Sequence, residues 1–252
     1  MKNENTPQIN NYTKIFEKYI KTELKPDKKY SMLHTTISYL NLNNSDTVLD
    51  IWCWSWYFTI PFWYIAKKVI GIDNNATQIK SANNIKQDMN IKNIDYFIED
   101  MNTYKYPENY FSCINAPFVL NYSKTLIEMK NLFQKRYNSL QKWWKLFAIM
   151  DNPCDIIHNN KKFWSIKRFP WKQMVDWAMV EMMLYNWDEY LCTLYSYFYS
   201  KITIEKLLKE IWFTDIQRKN PLISLEWMEK EWWEFRSEYI QNCDIMYLYA
   251  KK

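Results

Sequence analysis

The sequence predicts an α/β domain built on a doubly wound, mostly parallel sheet. Between residues 45 and 151, short apolar runs alternate with stretches whose apolar residues recur at helical spacing. Strands and helices that alternate this way pair in parallel through right-handed crossovers. The alternation stops between residues 152 and 200, where β-forming residues flank a turn signal. A chain of 252 residues suits one such domain carrying an insertion.

Each element has its own signal. From Pro7 to about Leu42, Ile15, Phe16, Tyr19 and Ile20, then Met32, Leu33, Ile37 and Leu40, recur at helical intervals and predict two leading helices. Asn41–Asp46 is a polar turn, Thr47–Ile51 a buried strand and Tyr57–Lys67 a helix. Val69–Asp73, Ile94–Ile98, Phe111–Ala116 and Leu146–Met150 read as strands two to five, with helices over Ala76–Met89 and Leu126–Leu140. Aromatics and β-formers in Met179–Tyr199 surround Asn186-Trp187-Asp188 and predict an inserted antiparallel hairpin. A helix over Thr203–Ile211 and strands over Phe213–Lys219 and Asp244–Ala250 complete the fold. The chain is therefore expected to be one domain, 1–252, divided into a helical segment (1–44), an alternating half (45–151) that the resemblance given below makes the cofactor-binding half, a lid-like insertion (152–200) and a carboxy-terminal helix and strands (201–252).

Bulk properties narrow the function. The net charge of +5 is spread along the chain without a block of like charges, so no nucleic acid is indicated. Cys53, Cys113, Cys154, Cys192 and Cys243 are odd in number and widely spaced, and His34 and His158 lack partners at ligand spacing. That pattern predicts a reducing cytoplasm and no metal site. The amino terminus has no apolar leader, and Asp50, Ser55, Thr59 and Pro61 interrupt the apolar stretch Val48–Ala66, so no membrane segment is expected.

The oddest property is compositional: one glycine and fourteen tryptophans. Glycine makes up roughly 7% of ordinary chains, so about 18 would be expected here. Three tryptophans fall in Val48-Leu49-Asp50-Ile51-Trp52-Cys53-Trp54-Ser55-Trp56-Tyr57-Phe58, which with glycine at 52, 54 and 56 reads V-L-D-I-G-C-G-S-G-Y-F. Trp143-Trp144 precede strand five, and Ile211-Trp212-Phe213 reads I-G-F with the same exchange. A single codon, UGA, read as glycine in some bacterial lineages and as tryptophan elsewhere, accounts for all three. The abundance of lysine over the four arginines fits the AT-rich gene that this implies.

With glycine restored, the segment Asp50–Trp56 resembles the D-x-G-x-G-x-G loop of class I, Rossmann-like, seven-stranded S-adenosylmethionine-dependent methyltransferases. The resemblance is specific over 45–151 and architectural elsewhere. It implies that Asp50, Ile51, Trp52, Cys53, Trp54 and Trp56 lie under S-adenosylmethionine, with Cys53 a packing residue. It places Asp73, with Asn74, against the ribose hydroxyls, Asp100 and Met101 at the adenine, and Asn115 near the methyl donor. Phe118, Asn121 and Tyr122 follow strand four, where an acceptor would be held, and Ser112 stands where relatives often have aspartate. In Met179–Tyr199 the tyrosines pack the hairpin or close over the acceptor.

The activity implied is in-line methyl transfer to a small or medium-sized acceptor. Transfer from a sulfonium proceeds largely through proximity and orientation, so the catalytic base stays unassigned. Oligomeric state is left open. Two alternatives remain: an NAD(P)-dependent oxidoreductase, and, with every tryptophan present, an inactive scaffold or binding module. The codons decide the composition argument: UGA is expected at positions 52, 54 and 56, and UGG there would end it.

Overall fold

The computed structural model describes residues 18–19, 21–54, 56–154, 159–160, 163–170, 175–186, 188–230 and 233–252. Its strands are β1 (Thr47–Ile51), β2 (Lys68–Asp73), β3 (Ile94–Ile98), β4 (Phe111–Pro117), β5 (Leu140–Asp151), β6 (Asn159–Asn160), β7 (Ser165–Arg168), β8 (Met179–Asn186), β9 (Glu189–Tyr197), β10 (Thr214–Lys219) and β11 (Ile245–Lys251). Helices are α1 (His34–Leu40), α2 (Thr59–Trp63), α3 (Ala76–Asp88), α4 (Leu126–Ser139), α5 (Lys201–Glu210), α6 (Leu225–Lys230) and α7 (Trp233–Gln241).

Seven strands form the main sheet in the order β10-β11-β5-β4-β1-β2-β3. β1 to β5 run parallel, and β11 is antiparallel to both β5 and β10. The strand order reverses after β1, which starts one half of the sheet through β2 and the other through β4. Ligands of doubly wound sheets sit at the carboxyl ends of strands flanking such a reversal. Both faces are covered: Val48, Phe62, Val69 and Phe147 belong to one apolar cluster, while Leu49, Ile72, Ile114 and Leu208 belong to the other. Burial on both faces explains why β1 and β2 read as continuous apolar runs. At the opposite end, Ser112 Oγ donates to Asp46 Oδ1 at 2.7 Å and accepts from the Thr47 N–H at 2.9 Å, tying β4 to the start of β1.

Several expectations need adjustment. The leading segment enters as a 3₁₀ turn at Lys21–Leu24 and a π-helical stretch at Lys28–Leu33 that runs directly into α1. Ile15, Phe16 and Ile20 lie outside the described residues. β5 begins at Leu140, so Trp143-Trp144 sit within a strand, not in a turn before it. Its register against β4 jumps from Phe111↔Leu140 to Cys113↔Lys145, a bulge that the periodic pattern does not reveal. The inserted hairpin β8–β9 exists and is extended by β7 and β6 into a four-stranded antiparallel sheet. Trp187, in its turn, is outside the described residues. The helices α6 and α7 were not anticipated.

Backbone conformation bears on the imbalance of glycine and tryptophan. Among the described residues, twelve non-glycine residues have positive φ, and seven are tryptophan: 52, 54, 56, 143, 164, 177 and 212. Three more are asparagine and one is aspartate, the side chains that tolerate this region best. Trp212, at φ 76°, follows the Ile211 cap of α5, the position where helices end on glycine. The one true glycine has a different reason. A Cβ on Gly71 would stand 2.7 Å from Tyr96 Cδ1 and 2.9 Å from Cys53 Sγ, so β2 must be bare there to pack beneath the loop.

Two stability measurements follow. Gly71→Ala should cost about 1–3 kcal/mol in urea unfolding, because overpacking forces Tyr96 or Cys53 to move. Trp212 is 77% exposed, so Trp212→Gly should gain about 1 kcal/mol by relieving left-handed strain with little loss of packing.

Candidate functional site

The expected site residues converge at the carboxyl ends of β1, β2, β3 and β4. Asp50 and Asn115 are paired across β1 and β4, and Asn115 Nδ2 donates to Asp50 Oδ1 at 2.8 Å. Both side chains are fully buried, and Asp50 Oδ2 and Asn115 Oδ1 have no hydrogen-bond partner. Burial, with the nearby Asp73 charge adding to it, pushes the Asp50 carboxyl up to about 8. The pair braces the loop from below.

Beyond Ile51 the chain turns over β2. The N–H groups of Trp52 and Cys53 both donate to Ile72 O, at 2.8 and 3.1 Å. Trp54 N–H donates to Asp73 Oδ2 at 3.1 Å, and Asn75 N–H donates to Asp73 Oδ1 at 2.9 Å. Asp73 therefore holds two backbone segments in place, and burial raises it to about 6. Asn75 then caps α3 through Thr77 and Gln78. Asn74 Nδ2 reaches Asp100 Oδ2 at 3.5 Å, and Asp100 Oδ1 accepts from Asn102 N–H at 2.8 Å. Met101 O accepts from the Tyr106 hydroxyl at 2.9 Å. Cys53 is buried against Gly71, with its thiol held well above the usual range by burial.

On the other side of the loop lies a cavity. Trp52 and Trp54 line it from the loop, Phe118, Asn121 and Tyr122 from the segment after β4, and Met182, Leu184 and Leu194 from the antiparallel sheet. Phe118 is itself in the left-handed region, at φ 57°. The Trp52 ring meets Tyr122 at 4.5 Å between centroids, and the Trp54 ring meets Tyr19 at 4.7 Å. Lys28 Nζ lies 4.8 Å from the Trp54 centroid.

Sequence reasoning missed part of this wall. Tyr19, Lys25, Asp27 and Lys28 come from the leading segment, and Asp151 and Asp244 from the ends of β5 and the approach to β11. The only signal was the run Lys25-Pro26-Asp27-Lys28, which reads as an ordinary solvated turn. Ser112, by contrast, is far from this end and serves the strand tie already described.

The backbone and the carboxylates suit an adenosyl cofactor, with left-handed residues at 52 and 54 and acidic side chains at the ends of β1, β2 and β3. The indoles do not. They line the cavity beside the loop, whose volume is about 90 Å³, against roughly 300–1,000 Å³ for ligand pockets generally. Among the described residues no group of three metal-ligating side chains occurs, and no helix is long and apolar enough to cross a membrane.

Comparison with known proteins matches this architecture. A crystal structure of an S-adenosylmethionine-dependent methyltransferase from Clostridium acetobutylicum superposes with a TM-score of 0.62 at 15% identity, covering 95% of this chain and 97% of that one. One from Mesorhizobium loti gives 0.59 at 13% identity, over 88% and 96%. The chain has the class I, Rossmann-like fold of S-adenosylmethionine-dependent methyltransferases. No protein-family profile matches it.

Among curated proteins, 23S rRNA (uracil(1939)-C(5))-methyltransferase RlmD of Francisella tularensis subsp. novicida is 28% identical over 80 residues, 32% of this chain. The Haemophilus parainfluenzae protein of that name is 31% identical over 70 residues. The match spans only 18% of the length of the Francisella protein. These relatives correct one expectation. The diffuse charge indicated no nucleic acid and the inserted hairpin a small or medium-sized acceptor, but the proteins that this chain resembles in sequence are named for a base in ribosomal RNA. Net charge reports only the average surface.

The buried carboxylates predict a pH dependence. Asp50 and Asp73 have native values of about 8 and about 6, above the roughly 3.9 of an unfolded chain. The native state therefore holds protons that the unfolded state has released, and the resulting stabilisation is complete below about pH 4 and lost as pH rises through 6 and 8. In urea unfolding, Asp50→Asn should show a shallower fall in stability between pH 5 and 8 than the parent. Parallel curves would show that Asp50 does not carry the slope.

Proposed function

We propose that this chain is an S-adenosylmethionine-dependent methyltransferase whose working form carries glycine at positions 52, 54 and 56. The observation that carries the reading is the backbone of the loop after β1. Trp52, Trp54 and Trp56 have φ values of 63°, 50° and 155°, a run of conformations that bulky side chains avoid and glycine adopts freely. The codon reassignment inferred from composition supplies the reason, and the positive φ at Trp143, Trp164, Trp177 and Trp212 supports it outside the loop.

Bound S-adenosylmethionine would supply a methyl group on positive sulfur, ready for displacement. The chain's own residues hold and enclose it. Asp73 fixes the loop through the Trp54 and Asn75 N–H groups and has further lone pairs for hydroxyl donors. Asp100 and Met101 frame the next segment, and the Asp50–Asn115 pair supports the floor. The antiparallel sheet closes over the acceptor side, which favours an acceptor group enclosed at the moment of transfer. The RNA acceptor named for the curated relatives is compatible with this enclosure if a single base enters.

A second reading holds for the chain with all its indoles: a folded but inactive scaffold. The Trp52–Tyr122 and Tyr19–Trp54 contacts favour it, since they fill the cavity. Thermal shifts separate the readings. The triple variant Trp52→Gly, Trp54→Gly, Trp56→Gly should be stabilised by S-adenosylhomocysteine and not by NADH, while the parent responds to neither. An equal response of parent and variant to S-adenosylhomocysteine would refute the steric argument, and a response to NADH alone would favour the oxidoreductase.

A further inference from the structure

We infer that the cavity beneath the antiparallel sheet takes a nucleobase, edge-on to Asn121 and Asp27, as the group to be methylated. The inference rests on the methyltransferase reading above and adds what the acceptor must be. Asn121 is 4% exposed and lines the cavity, and its Oδ1 has no hydrogen-bond partner. Asp27 lines it from the leading segment, and its Oδ1 is likewise buried without a partner. Two buried acceptors left unmatched are costly, so the occupant that suits them brings hydrogen-bond donors.

The rest of the wall defines the body that carries those donors. Tyr19, Phe118, Tyr122 and Phe163 supply ring faces, and Met182 and Leu184 an apolar side. The charges inside do not suit an anion. Lys25 is buried and its ammonium donates to Trp164 O at 3.1 Å, while Asp151 and Asp244 accept from Ser196 and Ser165. With Asp27 that makes three carboxylates against the two ammonium groups of Lys25 and Lys28. A flat, uncharged heterocycle with N–H groups on its edge meets all these conditions; a phosphate or carboxylate meets none.

Outside the cavity, Lys18, Lys21 and Lys29 are exposed on the segment that contributes Tyr19, Lys25 and Asp27 to the wall, with Lys21 paired to Glu189 and Lys29 to Glu226, each at 3.3 Å. Such a placement suits a base carried on a sugar-phosphate, with the base inside and the phosphates at the rim. Burial pushes the Asp27 carboxyl up to about 6, so it can offer or accept a proton near neutrality.

The test uses the full chain with Trp52→Gly, Trp54→Gly and Trp56→Gly, titrated calorimetrically with adenosine, cytidine, guanosine and uridine, each with and without S-adenosylhomocysteine. At least one nucleoside should bind. Asn121→Leu should weaken that binding by about tenfold, and Asn121→Asp, which keeps an acceptor oxygen in place, should retain it. S-adenosylhomocysteine binding should be unchanged in both. A short single-stranded RNA is the second arm: tighter binding than the nucleoside, lost with rising salt, identifies a strand as the source of the base, and equal affinity identifies a free nucleoside or nucleotide. Binding of neither nucleosides nor RNA, in either cofactor condition, overturns the proposal, as does nucleoside binding indifferent to Asn121→Leu. Failure of S-adenosylhomocysteine to bind while a nucleoside binds would instead overturn the methyltransferase reading.

Discussion

The chain leaving β1 must cross the end of β2 at hydrogen-bond distance, and everything at this end of the molecule depends on that approach. Trp52 and Cys53 share the carbonyl of Ile72, and Trp54 reaches the carboxylate of Asp73. Such a crossing leaves room for side chains on neither flank of the turn, which is why the backbone passes into the left-handed region twice in three residues. Gly71 meets the same demand from below, where Tyr96 and Cys53 already occupy the space of a Cβ. The indoles at 52 and 54 escape only by turning into the cavity, where the aromatic rings of Tyr122 and Tyr19 receive them. The turn keeps a glycine-shaped path while its side chains occupy the space that the path exists to leave open.

Around this turn, polar groups are arranged in two layers with different tasks. Asp50, Asn115 and Asp73 are buried in the sheet end, where Asn115 Nδ2 donates to Asp50 Oδ1 and Asp73 accepts from the loop backbone, so they set the position of the loop. Asp27, Asn121, Asp151 and Asp244 face the cavity from four separate parts of the chain. The first layer comes from parallel strands adjacent in the sheet. The second forms only when the leading segment and the antiparallel sheet fold over the carboxyl ends of β4 and β5. The two layers thus come from different parts of the chain.

Much of the first layer was legible before any coordinates. β1, β3 and α3 fall within a residue or so of their expected bounds, because strands buried on both faces give unbroken apolar runs and Asn75 is a strong cap. Asp73 closes the apolar run of β2, and Asp100 lies just past that of β3. The second layer was not legible. Asp27 sits in a charged run that looks solvated, Asp244 in a turn before the last strand, and their meeting depends on contacts across more than two hundred residues. The bulge between Leu140 and Lys145 escaped notice for a related reason: periodicity reports which face a residue takes, and the three extra residues in β5 show only against β4.

By itself the sequence determined the alternation of strands and helices, the parallel half of the sheet, and the places where a glycine-like backbone is needed. Those are local matters, set by burial patterns and by what one residue type can do with its own dihedral angles. Only the tertiary structure decided that Trp164 and Trp177 occupy left-handed positions while Trp63, Trp227 and Trp233 are helical. It alone decided which distant side chains face the cavity beside the loop. The physical reason is that a φ angle and an unmatched buried oxygen are both set by neighbours brought in from elsewhere in the chain, and no window along the sequence contains them.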